Sequence, residues 1–336
     1  QLSEVPGTTV LIYEQTCAAE KRRRRKRGLM EDPNRRVFIN QAVCEGCGDC
    51  GKKSNCLSVL PKETELGRKR QIDQSACNKD YSCVKGFCPS FVSVIGGTPK
   101  KSNAAASAGD FPRLPEPVQP DLNRPWNIVV TGVGGTGVLT GTAVVAMAAH
   151  IEGKGCATMN QTGLAQKFGP VVSHLRVAKQ QEDINAVRIP AGDADVLLGC
   201  DLVVSTTDEA IAKVNVERTK AVVNVSESPT AEFVYNTEAE FPADSMRQMI
   251  EEEVGVGKVD FVTATAIATK LLGDTVATNF FMLGYAYQKG MIPVSLDAIE
   301  EAIELNGVAV DLNKQALMWG RRAVVDLPAV RQAAGI

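Results

Sequence analysis

Residues 126–150 read WNIVVTGVGGTGVLTGTAVVAMAAH, and this stretch decides the fold class that we predict. Its apolar start, residues 127–131, predicts a β-strand, and residues 138–150 lack proline and predict a helix. The turn between them contains four glycines, which are the candidate cofactor-binding residues: Gly132, Gly134, Gly135 and Gly137. Glycines allow a chain to turn sharply from a strand into a helix. This order of elements is typical of an α/β sheet.

Apolar runs and helical segments alternate through the rest of the chain. The predicted strands cover about residues 157–160, 171–177, 202–205, 221–225 and 259–262. The predicted helices cover about residues 243–254, 264–273, 278–289, 295–305 and 311–325. This alternation predicts that residues 126–336 form an α/β domain with a doubly wound, mainly parallel sheet.

The glycine-rich turn has two interpretations. A strand–turn–helix context with this glycine spacing suits a dinucleotide phosphate at the helix N-terminus. However, the next strand would then end in an acidic residue that holds the ribose, and it ends in Asn160-Gln161-Thr162. We therefore favour a tight turn that packs against another subunit. On the following strand, His174 is interpreted as a structural histidine.

Seven of the ten cysteines lie between Cys44 and Cys88. Cys44, Cys47 and Cys50 are separated by two residues each, and the intervening glycines let the backbone wrap closely around an inorganic core. In two-cluster ferredoxins the fourth ligand of such a set comes from a Cys-Pro pair of the other motif. Cys88-Pro89 supplies that pair, so these four cysteines are the predicted ligands of a first iron–sulfur cluster.

The second half of this region repeats the spacing with one change. Cys77 and Cys83 occupy the outer positions, and Asp80 stands where the middle cysteine would be. Cys56 takes the place of the remote ligand. The crossed assignment predicts a second cluster on these three cysteines, with Asp80 as the candidate fourth ligand. A carboxylate is a weaker ligand for cluster iron than a thiolate, so the sequence allows either one cluster or two. A zinc site is the alternative to an iron–sulfur cluster.

The remaining segments are less regular. Thr8–Tyr13 predicts an isolated strand, Lys21–Arg27 is a run of seven basic residues, and residues 98–125 read as a Pro/Ala/Ser-rich linker. Cys17, Cys156 and Cys200 lie among apolar residues and are predicted to be buried.

Charge and composition limit the classes of function. The net charge of −2 and the aromatic content of 5% argue against a nucleic-acid partner. Apolar runs long enough to span a membrane are absent, and no export signal is evident, so we predict a cytoplasmic protein without a membrane partner.

Together, CEGCGDCGKKSNC, GRKRQIDQSACNKDYSCVKGFCPSF, GVGGTGVLT and GLAQKFGPVVSHLRVA resemble the thiamine diphosphate-dependent 2-oxoacid:ferredoxin oxidoreductases. The similarity is greatest to fused indolepyruvate ferredoxin oxidoreductases and covers nearly the whole chain. It implies four regions: the end of a thiamine-binding domain plus the basic segment (1–36), a ferredoxin-like 4Fe-4S module (37–97), the linker (98–125) and a gamma domain (126–336).

The resemblance also implies a function. In the family, an arylpyruvate is decarboxylated oxidatively with coenzyme A, and electrons pass to ferredoxin. Thiamine diphosphate and magnesium would be bound by the catalytic domains or subunits with which this chain associates, in a homo-oligomer of the full enzyme. An iron–sulfur subunit of an NAD(P)-linked oxidoreductase and a zinc-binding interaction protein are the alternatives.

Overall fold

The computed structural model describes residues 2–97, 114–163, 169–230 and 232–336. The chain divides into two compact units, Gln1–Thr98 and Pro99–Ile336.

The first unit contains two short antiparallel sheets. Its elements are α1 (Ala18–Lys26), β1 (Arg35–Ile39), α2 (Asp49–Ser54), β2 (Val59–Lys62), β3 (Lys69–Ile72) and β4 (Phe91–Ile95). Strand β1 pairs with β4, so the two ends of the cysteine-rich region are joined, and β2 forms a hairpin with β3. Among the described residues of this unit, only Val37, Ile39 and Cys44 are buried apolar residues, so its apolar core is small.

Two expectations for the start of the chain are wrong. Residues 8–13, which the structure describes, form neither strand nor helix, and their apolar side chains are exposed. A single strand without a partner leaves its backbone groups unpaired, so the β-branched sequence alone does not produce one. Cys17 is exposed rather than buried, whereas Cys200 is buried as expected and Cys156 is partly buried.

The second unit is built on one six-stranded sheet. Its strands are β5 (Trp126–Val133), β6 (Gly155–Thr162), β7 (Pro170–Ala178), β8 (Val196–Gly199), β9 (Lys220–Asn224) and β10 (Val259–Val262). Its helices are α3 (Val138–Ile151), α4 (Leu202–Ser205), α5 (Asp208–Ile211), α6 (Glu232–Tyr235), α7 (Ala243–Val254), α8 (Ala264–Leu272), α9 (Thr278–Gln288), α10 (Leu296–Asn306), α11 (Val310–Val325) and α12 (Leu327–Ala334).

The sheet confirms the predicted fold class. Its strand order is β10-β9-β8-β5-β7-β6. Strand β7 is antiparallel to both of its neighbours, β5 and β6, and the other five strands run in one direction. Successive residues of β5 point to opposite faces of the sheet. Ile128 packs with the large core under α3 and α8–α12, and Val129 packs with the core under α4 and α7. Helices therefore cover both faces, as in a doubly wound domain.

The strand predicted at residues 202–205 is wrong, because these residues form α4. The strand lies earlier, at β8, all of whose residues are buried. Asp201 explains the change, since its side chain accepts a hydrogen bond from the backbone N–H of Val204 at 2.9 Å and caps the helix. Leu202 and Val204 are apolar because they pack in the core as helical residues.

The predicted linker falls partly outside the described residues, which resume at residue 114. From there the chain is attached to the α/β unit. Glu116 accepts a hydrogen bond from the Tyr287 hydroxyl at 2.9 Å and pairs with Arg321, also at 2.9 Å. Leu122 is buried in the larger core. Residues 115–122 thus pack as part of this unit.

Candidate cluster site

The first predicted set of cysteines lines one cavity. Cys44, Cys47, Cys50 and Cys88 all face a cavity of about 320 Å³ between the β1–α2 loop and the segment before β4. Cys83 also borders it. The pairing of β1 with β4 brings Cys88 back to the first three cysteines, which are distant in sequence. The cavity is thus lined by the thiols that the crossed assignment places together.

Glycines shape the loop that carries this set. Gly46 and Gly48 have φ angles of +78° and +79°, which residues with a side chain rarely adopt. A Cβ atom at Gly46 would overlap the carbonyl oxygen of Arg68. The backbone N–H of Gly46 donates to Cys44 Sγ at 3.4 Å. This N–H group of the loop therefore points toward sulfur, as backbone N–H groups around a cluster do.

The members of the second set act on one another's pKa. Burial is the largest cause of the rise in the pKa of the Cys83 thiol to about 12, and nearby Cys56, Cys77 and Asp80 contribute to that rise. Burial likewise raises the pKa of Cys77, with Cys56 and Asp80 acting in the same direction. Asp80 is exposed and accepts hydrogen bonds from Ser82. Cys56, Cys77 and Asp80 thus lie close enough to Cys83 to affect its pKa, and Cys83 itself also borders the first cavity.

The donor chemistry fits iron–sulfur clusters. Within the described ranges, no three His, Cys, Asp or Glu side chains form a group that could hold a single metal ion. The four thiols of the first set instead border one cavity, and soft thiol ligands suit a polynuclear cluster. The ligand assignment, including Asp80, stays a prediction.

Cations near these thiols were not predicted from the sequence. Arg70 on β3 is 5% exposed, borders the first cavity, and opposes the rise that burial causes in the pKa of Cys50. Arg22 and Arg25 of α1 donate to the carbonyl oxygens of Ser75 and Asn78 at 3.2 and 2.6 Å. These residues lie on either side of Cys77. The basic run is therefore a helix anchored on the second set.

The glycine-rich turn is tied down by its own unit. Gly135 and Gly137 have positive φ angles of +84° and +99°. The backbone N–H of Gly134 donates to the Gly169 carbonyl at 2.8 Å, and the Asn279 side chain of α9 donates to the Thr136 carbonyl at 2.8 Å. These contacts explain the glycines as a close-packed turn. A cofactor-binding role for the turn stays a prediction.

His174 is buried with both ring nitrogens engaged. Its Nε2 lies 3.1 Å from Gln161 Oε1, and its Nδ1 accepts from the backbone N–H of Ile189 at 3.3 Å. Burial lowers the pKa of His174 to about 4, Lys213 and Arg188 act in the same direction, and Glu209 opposes them. These contacts fit the structural role expected of this histidine.

The lowered pKa of His174 predicts a pH dependence of stability. Between pH 6.5 and 4, the unfolded chain binds a proton at His174 that the folded chain does not, so stability falls as pH falls. The full loss over this window is about 3 kcal/mol. His174→Gln should flatten the curve of unfolding free energy against pH, measured by urea denaturation. His150→Gln, at the exposed second histidine, is the substitution control. A slope for His174→Gln equal to that of the wild type would contradict the assignment.

Sequence comparison identifies the family. Residues 127–323 match the family Pyruvate ferredoxin/flavodoxin oxidoreductase. The chain belongs to this family. It is an oxidoreductase subunit of the 2-oxoacid:ferredoxin oxidoreductase type. The match covers the six-stranded sheet and most of its helices, and the cysteine-rich region lies outside it.

Relatives of known name are also oxidoreductase subunits. The chain is 29% identical to indolepyruvate oxidoreductase subunit IorB of Thermococcus kodakarensis, over 61% of this chain and 98% of that subunit. It is 33% identical to the subunit of the same name in Archaeoglobus fulgidus, over 58% of this chain and 92% of that subunit. The part of the chain that matches is thus a separate subunit in these proteins.

Solved structures also match the chain. Pyruvate oxidoreductase subunit PORC of Thermotoga maritima is 22% identical, with a TM-score of 0.43 over 60% of this chain and 97% of that one. A 2-oxoglutarate:ferredoxin oxidoreductase of Magnetococcus marinus is 14% identical, with a TM-score of 0.45 over 60% of this chain and 31% of that one.

No helix in the described part of the chain is long and apolar enough to cross a membrane.

Proposed function

We propose that this chain is the electron-transfer and gamma-domain segment of an indolepyruvate:ferredoxin oxidoreductase. The observation that carries the proposal is the cavity bordered by Cys44, Cys47, Cys50 and Cys88. It is supported by the relatives, which are subunits of indolepyruvate oxidoreductases. In this protein the cysteine module and the gamma domain lie on one chain. The candidate cluster ligands therefore precede the domain that matches the family.

The overall reaction would convert a 2-oxoacid and coenzyme A into an acyl-CoA, carbon dioxide, one proton and two electrons. Thiamine diphosphate and magnesium, held by catalytic domains or subunits of the enzyme, would supply the decarboxylation chemistry. One or two 4Fe-4S clusters would supply one-electron steps to ferredoxin.

The residues of this chain have defined tasks in that reaction. The four cysteines of the first set would hold a cluster, and the positive φ angles of Gly46 and Gly48 would allow the backbone to wrap closely around it. Arg70 would offset part of the negative charge of the thiolates, because it borders the same cavity. The gamma domain would support the assembly with the catalytic domains and carries out no bond-breaking step.

Cys47→Ser tests this role in the full enzyme. Serine is a poorer ligand for cluster iron, so iron and acid-labile sulfide should fall by about one cluster per chain, and ferredoxin reduction should fall at least tenfold. Cys156→Ser is the matched control, because Cys156 lies on β6 in the other unit. Unchanged iron content and unchanged ferredoxin reduction in Cys47→Ser would refute the proposal.

A further inference from the structure

Helix α1 carries a concentrated positive charge, whereas the rest of the chain has a net negative charge. Residues 18–27 contain seven basic residues and one glutamate, a net charge of +6. The whole chain has a net charge of −2, which leaves −8 for all other residues. Opposite charges attract over roughly a Debye length of 10 Å at moderate salt. A negatively charged partner is therefore drawn to this helix.

One side of α1 is fixed to the cysteine module. Arg22 and Arg25 donate to the carbonyl oxygens on either side of Cys77, and Arg25 Nε also donates to the Glu31 carbonyl at 3.2 Å. Charged donors make hydrogen bonds stronger than neutral ones. The helix is thus positioned directly over the loop that carries the second set.

The other side of α1 is open. Arg23 and Arg24 have side chains that are 46% and 47% exposed, and Arg27 is exposed as well. Glu20 pairs with Arg23 and Arg24 at 3.1 Å within the helix. Ion pairs at such exposed positions are weak, so they leave most of the positive charge available.

We propose that the open face of α1 is the docking surface for an acidic electron-carrier protein, and that electrons leave the module through the second set of Cys56, Cys77, Cys83 and Asp80. This inference rests on the proposed function and adds the place and the charge of the partner. Each docking event transfers one electron from the reduced module to the oxidised carrier, so two events remove the two electrons of each 2-oxoacid. Complementary charge raises the rate of association and orients the partner over the exit.

Nucleic acid is the competing partner for a basic helix. Its phosphates would meet the same arginines, but residues 18–27 contain no aromatic side chain on which bases could stack. The position of α1 over the Cys77 loop also has no use in nucleic-acid binding, whereas it shortens the path to an electron carrier.

The test removes charge from the open face without touching the anchor. In the full enzyme, R23Q/R24Q/R27Q keeps Arg22, Arg25 and every cysteine. The control K52Q/K62Q/K85Q removes the same charge from exposed positions elsewhere in the module. Binding of a purified acidic 4Fe-4S ferredoxin is measured at several salt concentrations, together with 2-oxoacid-dependent reduction of ferredoxin and of a small neutral dye.

The arginine variant should bind ferredoxin about tenfold more weakly at low salt, with a shallower salt dependence. Its KM for ferredoxin should rise with dye reduction unchanged, and the control should match the wild type. Equal binding by the arginine variant and the wild type, or a larger loss in the lysine control, would overturn the proposal. So would loss of oligonucleotide binding with ferredoxin binding retained. A wild-type enzyme that reduces neither ferredoxin nor dye would instead refute the proposed function, while the binding measurement still tests the docking surface.

Discussion

Gly320→Ala should lower the free energy of unfolding of the α/β unit by about 3 kcal/mol. Gly320 of α11 faces α9 where the two helices cross, and a Cβ atom there would overlap the carbonyl oxygen of Phe281. Gly284 of α9 makes the reciprocal approach, to the carbonyl oxygen of Leu317. A side chain could rotate away, but a backbone carbonyl within a helix cannot, so the helices would have to separate.

Separation is costly because of where α9 lies. Every residue of α9 is buried, and Phe281, Met282 and Trp319 are among the largest fully buried side chains of the described residues. Interiors are packed at near-crystalline density, so moving one helix disturbs many contacts.

Gly141→Ala is the matched control for Gly320→Ala. Gly141 also lies inside a helix, α3, but nothing lies within contact distance of a Cβ atom at this position. Alanine should therefore stabilise the helix by about 0.5–1 kcal/mol, because it restricts the unfolded chain. Urea denaturation of the full chain measures both variants. Similar stability of the two alanine variants would show that the helices do not approach as closely as the structure indicates.

Cys88→Ser should remove the same cluster as Cys47→Ser, although the two residues belong to different cysteine motifs. Both thiols border the first cavity. Cys56→Ser should instead remove the same signal as Cys77→Ser, because these thiols belong to the second set. Each variant should lose up to about four irons per chain, the content of one cubane cluster. EPR spectra after dithionite reduction distinguish the two signals.

These serine variants distinguish the crossed ligand assignment from ligation by the nearer motif alone. If ligands came only from the nearer motif, Cys56→Ser would resemble Cys47→Ser, and Cys88→Ser would resemble Cys77→Ser. That pattern would overturn the crossed assignment while leaving the presence of clusters intact. Cys156→Ser, remote from both sets in sequence and placed in the other unit, should retain both signals.

Local patterns were sufficient for most of the α/β unit. The helix predicted at 243–254 is α7 with the same bounds, because its apolar residues recur at helical spacing and Ile250 and Val254 face the core. The run at 202–205 misled because a short apolar segment is compatible with a strand or a helix. The side chain of Asp201 caps these residues as a helix. Counting apolar residues does not detect such a cap. The helix α12 was missed in the same way, although Asp326 caps it.

The cysteine spacing identified both candidate ligand sets, because iron–sulfur ligation requires thiols at short, regular intervals. The surrounding charges could not be predicted. Arg25 lies 53 residues from its partner Asn78, and nothing local to the basic run specifies that contact. Likewise, Arg70 reaches the cavity only because the β2–β3 hairpin brings β3 alongside it. Such contacts depend on tertiary packing. A run of basic residues in the sequence does not specify which distant residues it will contact.

The content of iron, zinc and acid-labile sulfide in the anaerobically purified protein tests the cluster assignment. We expect iron and sulfide in equal amounts, about four of each per chain for one cubane cluster or about eight for two, with little zinc. Reduction with dithionite should then produce an EPR signal that Cys47→Ser removes. Zinc without sulfide would contradict an iron–sulfur role and show that the thiols hold a structural metal instead.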